Sequence, residues 1–224
     1  RPDGIATICA GRQRSWREVG QRVPRLAAAL RSFGIEDGAF VASLAMNSDR
    51  YVELFFAVPW AGGAFAPLNI RWSVAENEYA LTDCMSSVLF VDEDFIDQAR
   101  ELRDRLPWIK VLVYMGEGAT PEGMLAYEDL VAQHEPMADA NRSGEDRWVI
   151  FYTGGTTAHP KGVMMSGPPG CIAADMHVPF LVFDTDGSLL DHRGGSIERL
   201  YGRFVRTSME NRFGALARFA RFPP

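Results

Sequence analysis

The sequence predicts an α/β protein: layered, mostly parallel sheet flanked by helices. From Ser15 to Tyr152, short apolar runs of strand length alternate with amphipathic stretches of helical spacing. Ser-x-x-Glu boxes stand at the start of some of the helical stretches, and the strand-like runs are apolar throughout, as suits strands buried on both faces.

Ser15 is followed three residues on by Glu18, a capping box, and Val19, Val23, Leu26 and Leu30 recur at helical spacing until Gly34 supplies a stop. Phe40 to Ala45, between Gly38 and Asn47, suits a buried strand, although periodicity alone does not separate that from a helical segment. A helix from about Ser48 to Trp60 and a strand around Phe65 follow. A second box, Ser73 with Glu76, opens a helix that ends near Cys84. Val88 to Val91 reads as the next strand, Phe95 to Leu106 as a helix, and Val111 to Tyr114 and Trp148 to Tyr152 as strands. Between Gly116 and Gly144 the chain is rich in Gly, Pro, Asp and Glu, a surface connection with one helix around Tyr127 to His134. After Ser166 the character changes. Gly167-Pro168-Pro169-Gly170 breaks any helix, and the remainder holds many Arg and Phe but no Lys. Residues 1–166 are expected to form one region and 167–224 an atypical tail.

A length of 224 residues with 47% apolar side chains allows a sizeable core, and a net charge of −6 without a basic run argues against nucleic acid as partner. Cys9, Cys84 and Cys171 are odd in number and widely spaced, which fits neither a disulfide framework nor a metal site and points to a reducing cytoplasm. The longest apolar stretch, Leu54 to Leu68, is shorter than a bilayer span and is broken by Pro59, Gly62, Gly63 and Pro67. The chain opens at Arg1-Pro2-Asp3 without Met or a signal-peptide pattern, so some N-terminal sequence is expected to be missing.

The segment richest in chemistry is Thr153-Gly154-Gly155-Thr156-Thr157-Ala158-His159-Pro160-Lys161-Gly162, entered from the apolar run Val149-Ile150-Phe151-Tyr152. Glycines let the backbone turn with its N–H groups exposed, Thr hydroxyls donate further hydrogen bonds, and Lys161 adds a mobile positive charge, so one short loop can surround phosphate oxygens. The only other lysine is Lys110. The bland alternative is a solvated turn, since Gly and Thr are common between elements. Neither a Walker A loop nor a Gly-x-Gly-x-x-Gly fingerprint is present.

This string closely resembles the phosphate loop of the AMP-forming acyl-CoA synthetases and their adenylation-domain relatives: a strand, Tyr-Thr, Ser/Gly-Gly-Thr-Thr-Gly, any residue, Pro-Lys-Gly. The resemblance extends over roughly residues 5–166, through Ser15-Trp16-Arg17-Glu18, the turn from Leu30 to Gly38, Ala61-Gly62-Gly63-Ala64, Pro67-Leu68-Asn69 and Leu89-Phe90-Val91. It implies an ATP-dependent ligase: a carboxylate attacks the α-phosphorus of ATP to give an acyl-adenylate and pyrophosphate, Mg²⁺ accompanies the nucleotide, and the thiol of coenzyme A then displaces AMP. Thr153, Gly154, Gly155, Thr156, Thr157 and Lys161 are the residues that would hold the β- and γ-phosphates. A fatty or aryl acid is the expected substrate. Ala158 stands where the family has Gly, and His159 falls at its variable position. Trp16, Trp60, Trp72 and Phe55 are read as structural rather than as an acyl pocket.

The family's later parts are absent: an aromatic-Gly-x-Thr-Glu segment, an acidic ribose partner, a hinge and a lid lysine. No catalytic residue is therefore assigned, and the chain is expected to be an incomplete ligase, inactive alone, or else a non-catalytic binding module. The tail reads as a divergent region, a wrongly joined segment or an engineered replacement. Within it, Phe180-Leu181-Val182-Phe183 leading to Asp184-Thr185-Asp186-Gly187 resembles the first motif of haloacid-dehalogenase-type phosphatases, which makes Asp184 and Asp186 a remote alternative site against the simpler reading of a surface turn.

Overall fold

The computed structural model describes residues 2–142, 146–153 and 160–166, together with the backbone of two short strands further on. Arg1–His177 forms one compact unit. Its elements are β1 (Ile5–Cys9), β2 (Arg12–Ser15), α1 (Trp16–Ser32), β3 (Phe40–Leu44), α2 (Asp49–Trp60), β4 (Ala64–Pro67), α3 (Val74–Cys84), β5 (Val88–Val91), a 3-10 turn (Glu93–Phe95), α4 (Ile96–Arg105), β6 (Val111–Tyr114), β7 (Leu125–Ala126), α5 (Tyr127–Gln133), β8 (Arg147–Thr153) and β9 (Lys161–Ser166). Val178–Pro224 is a second unit, in which β10 (Val182–Phe183) pairs antiparallel with β11 (Leu189–Leu190).

A seven-stranded sheet in the order β7-β6-β5-β3-β4-β8-β9 forms the centre of the first unit. Its pairings are parallel except the last, where β9 runs antiparallel to β8. The expected α/β architecture is thus present, with one antiparallel edge. Alternation along the strands divides the core. Val41, Phe65, Phe90, Val113 and Val149 pack with α1, α2 and α5, whereas Ala42, Leu44, Ala66, Leu89, Val91, Leu112, Ile150 and Tyr152 pack with α3 and α4. Both faces are covered, which is why these strands read as unbroken apolar runs.

Both capping boxes form: Ser15 and Ser73 accept from the amides of Glu18 and Glu76, whose carboxylates accept from the backbone N–H groups of the two serines. Gly62, between α2 and β4, has φ +88°, and a Cβ there would meet the side chains of Asp37 and Arg31, so the turn admits no larger residue.

Elements that the sequence reading did not foresee are the β1–β2 hairpin, the short β7 and β9. The hairpin turns at Ala10 (φ 47°) and Gly11 (φ 80°), both in the left-handed region that a two-residue turn of this hand requires. Ala10 carries no Asn or Asp signal for such a turn. Lys161 and Gly162 of β9 belong to the Gly/Thr-rich string, and Val163 to Ser166 carry no burial pattern that marks a strand, since all residues of β9 are exposed.

Candidate phosphate-binding site

β8 is a half-buried strand: Val149, Ile150 and Tyr152 are buried, while Arg147, Phe151 and Thr153 are exposed. It lies beside β4 with Phe65 opposite Val149, and this parallel register brings Pro67 level with Phe151 at the carboxyl end of the sheet. Beyond Pro67 the Leu68 amide donates to the Ser43 carbonyl (2.8 Å), and Asn77 Nδ2 donates to the Asn69 carbonyl (3.3 Å). The Pro67-Leu68-Asn69 segment singled out in the sequence therefore flanks the strand that leads to the Gly/Thr-rich string. In open α/β sheets, ligands gather at the carboxyl ends of strands.

β8 and β9 form a hairpin stem whose last pair is Thr153 with Lys161, followed inward by Tyr152 with Gly162 and Phe151 with Val163. The Thr153 hydroxyl donates to the Lys161 carbonyl across the mouth of this stem (3.3 Å). Lys161 was expected within the loop; it is the first residue of β9, because the chain resumes pairing with β8 immediately after Pro160. Residues directly opposite in an antiparallel pair share a face. Thr153 and Lys161 thus sit on one face, with Phe151 and Val163, and Tyr152 and Gly162 on the other. Gly154, Gly155, Thr156 and Thr157, with Ala158 and His159, lie outside the described residues, as do Asp184 and Asp186.

On the opposite face the Tyr152 hydroxyl donates to Asp83 Oδ2 (2.8 Å), and burial, with Cys84 and Asp83 beside it, pushes the phenol well above its ordinary pKa. Burial likewise raises the Cys84 thiol to about 11, so it stays protonated. Asp83 gives no sequence signal, being one acidic residue near the exposed end of a helix.

A larger polar cluster, also unforeseen, joins β2, α1, α2 and α5. Asp49 accepts from Arg12 Nε (2.7 Å) and Arg14 Nε (2.9 Å). Glu53, fully buried, accepts from Arg22 Nε (2.7 Å) and the Tyr127 hydroxyl (2.6 Å), and Glu128 accepts from Arg22 Nη1 (2.9 Å) and Arg50 Nε (2.8 Å). Burial opposes the charge of Asp49, but the arginine hydrogen bonds outweigh it and hold the carboxyl at about 2. Every carboxylate in this cluster is matched by a guanidinium, so it serves the fold rather than a ligand.

Residues 1–176 match the family model described as AMP-binding enzyme. The chain belongs to the AMP-binding enzyme family. It is 32% identical over 161 residues to the medium-chain-fatty-acid–CoA ligase of Ectopseudomonas oleovorans, covering 67% of this chain and 29% of that one. It is 34% identical over 157 residues to the indoleacetate–CoA ligase of Aromatoleum aromaticum, covering 69% and 30%. Among solved structures, an anthranilate CoA ligase in complex with anthranoyl-AMP superimposes with a TM-score of 0.70 at 29% identity, covering 74% of this chain and 32% of that one. The chain therefore spans about 30% of the length of the curated relatives it matches. The AMP-binding match includes the whole β8–β9 stem, and no helix among the described residues is long and apolar enough to cross a membrane.

Proposed function

We propose that this chain is part of an ATP-dependent, AMP-forming acyl-CoA ligase and that Thr153 to Lys161 is its phosphate-binding loop. The carrying observation is the β8–β9 stem, which brings Thr153 and Lys161 opposite each other at the two ends of the Gly/Thr-rich string. In this reading Lys161 offers a point charge to the β- and γ-phosphates, Thr153 and Thr156-Thr157 offer hydroxyls, and Gly154-Gly155 permit backbone N–H groups to approach. Mg²⁺ bound to the nucleotide would spread the charge of the same phosphates that Lys161 and the threonine hydroxyls meet.

A carboxylate oxygen then bonds to the α-phosphorus as the bond to the β-phosphate oxygen breaks, and the coenzyme A thiol later displaces AMP from the acyl-adenylate. Donors aimed at the departing pyrophosphate favour that first step because they meet charge as it develops. Fatty and aryl acids are the substrate classes that the relatives suggest. A cytoplasmic setting belongs to the same reading, supported by the free Cys9 and Cys84 thiols.

Calorimetric titration of pyrophosphate and of ATP with Mg²⁺ into wild type, Lys161→Ala and Asp184→Asn tests the site. Loss of one charge-assisted contact is expected to weaken binding about tenfold or more in Lys161→Ala while Asp184→Asn stays as wild type. Equal affinity in wild type and Lys161→Ala, or loss of binding only in Asp184→Asn, would overturn the assignment. An assay with ATP, coenzyme A and fatty or aryl acids separates a turning-over ligase from a non-catalytic binding module.

A further inference from the structure

We propose that Tyr152 and Asp83, with Gly162 as the notch that admits the tyrosine ring, are positioning residues that hold the register of the β8–β9 stem and so keep the Lys161 ammonium on the face of Thr153. The proposal rests on reading the loop between these strands as a phosphate site; it gives a structural role to Tyr152 and Gly162 at the two ends of the motif and adds Asp83, which the motif does not contain.

The stem has few other means of fixing its register. β9 is exposed along its whole length, with Val163, Met164 and Met165 each between 43% and 50% exposed, so little buried surface distinguishes one pairing of β9 from the next. Register is weakly specified under those conditions, and a slip of one residue moves every side chain of the strand to the other face. Such a slip would carry Lys161 from the side of Thr153 to the side of Tyr152. The most buried feature at the outer end of the stem is Tyr152, whose hydroxyl is tied to Asp83 Oδ2 at 2.8 Å.

Gly162 is the cross-strand partner of Tyr152. A Cβ at Gly162 would stand 3.1 Å from Tyr152 Cε1 and 2.6 Å from Ile150 Cδ1. A side chain opposite Tyr152 would crowd the ring on its way toward α3 and displace the end of Ile150, so a slip that replaces Gly162 there with Lys161 or Val163 is disfavoured. The glycine and the tyrosine together therefore select one register. Asp83 has no role of its own in α3: it lies next to the last residue, where the helix dipole disfavours a carboxylate, and no basic residue offsets it in that turn. Its partner is the phenol of the neighbouring strand.

Hydrogen exchange on the full chain, paired with pyrophosphate titration, tests this in wild type, Tyr152→Phe, Asp83→Ala and Asp83→Asn. Tyr152→Phe and Asp83→Ala are expected to speed amide exchange in the stem strands about tenfold while β3 and β5 exchange as in wild type. Asp83→Asn, which keeps an acceptor for the hydroxyl, restores most of the protection. Pyrophosphate affinity falls about tenfold in the same two variants and recovers with Asp83→Asn. Unchanged stem exchange, or equal acceleration in β3 and β5, overturns the anchor. A loosened stem with unchanged pyrophosphate affinity overturns its positioning role. Wild type that binds no pyrophosphate removes the phosphate-site reading instead, and the exchange result still decides whether Tyr152 and Asp83 hold the stem.

Discussion

Replacing Glu53 with alanine removes the one fully buried carboxylate that joins α1, α2 and α5. Its two oxygens take hydrogen bonds from Arg22 Nε at 2.7 Å and the Tyr127 hydroxyl at 2.6 Å, and Arg14 Nε lies at 3.5 Å. After substitution Arg22 keeps Glu128 and Arg14 keeps Asp49, so neither guanidinium is left bare. The Tyr127 hydroxyl loses its acceptor in a place where the side chain is 1% exposed, which alone costs about 1–3 kcal/mol. The cluster's loss of one negative charge and the vacated volume bring the expected total to about 3 kcal/mol, the lower end of the cost of breaking a buried pair. In urea, with a slope of about 3 kcal/mol per molar, the unfolding midpoint drops by about 1 M. Glu53→Gln, which keeps an acceptor but loses the charge, is expected to fall about halfway and guards against a variant that does not fold. A midpoint within about 0.3 M of wild type for both variants would refute the idea that this cluster carries stability.

Asp49 has its pKa held down at about 2 against an ordinary 3.8, so its contribution is full above about pH 4 and disappears as pH falls toward 2. Asp49→Asn is accordingly expected to be less stable than wild type by about 2 kcal/mol at pH 6 and equal to it near pH 2, read from urea midpoints across that range. Ser73→Ala removes the side-chain cap of α3 and costs about 1 kcal/mol, seen as a melting temperature lower by about 2–4 °C. Gly162→Val forces branched carbons against Ile150 and Tyr152 and is expected to cost about 1–3 kcal/mol by the same thermal scan; a melting point equal to wild type would show that the notch is not tight.

Most of the sheet was legible because its strands are buried on both faces, and continuous runs such as Val88-Leu89-Phe90-Val91 follow directly from that burial. Helix starts were legible where a side chain caps the backbone, as at Ser15, Ser48 and Ser73. What escaped is set by long-range partners. β2, Arg12-Gln13-Arg14-Ser15, has no strand-like composition, yet its arginines find Asp49, Glu53 and Glu117 on segments far along the chain. β7 is two residues long and exists because β6 offers it an edge. At the site, the string from Thr153 to Lys161 announced itself by residue type, whereas the pairing of Tyr152 with Asp83 depends on α3 passing beside β8, which no local pattern encodes.

The loops at the carboxyl ends of the parallel strands are tied to one another before any ligand arrives. Arg50, in the first turn of α2, donates to the carbonyls of Met115 (2.6 Å) and Gly116 (2.8 Å), joining the ends of β3 and β6. Asp92, beyond β5, has its carboxyl raised by burial yet accepts from the Met46 amide beyond β3, while Glu93 takes the Tyr114 hydroxyl at 2.6 Å and the Gly118 amide at 2.9 Å. β8 is tied differently, by the Tyr152 hydroxyl to Asp83 in the last turn of α3. Preformed loops lower the ordering cost of binding, so the stem can present its donors from a rim already in place. The two kinds of tie should then separate in experiment. Glu53→Gln lies away from the stem and is expected to lower stability while leaving pyrophosphate affinity near wild type; Tyr152→Phe is expected to lower affinity with little loss of global stability. If both variants instead lose affinity in proportion to stability, the loop follows the fold as a whole and Tyr152 has no separate part in positioning it.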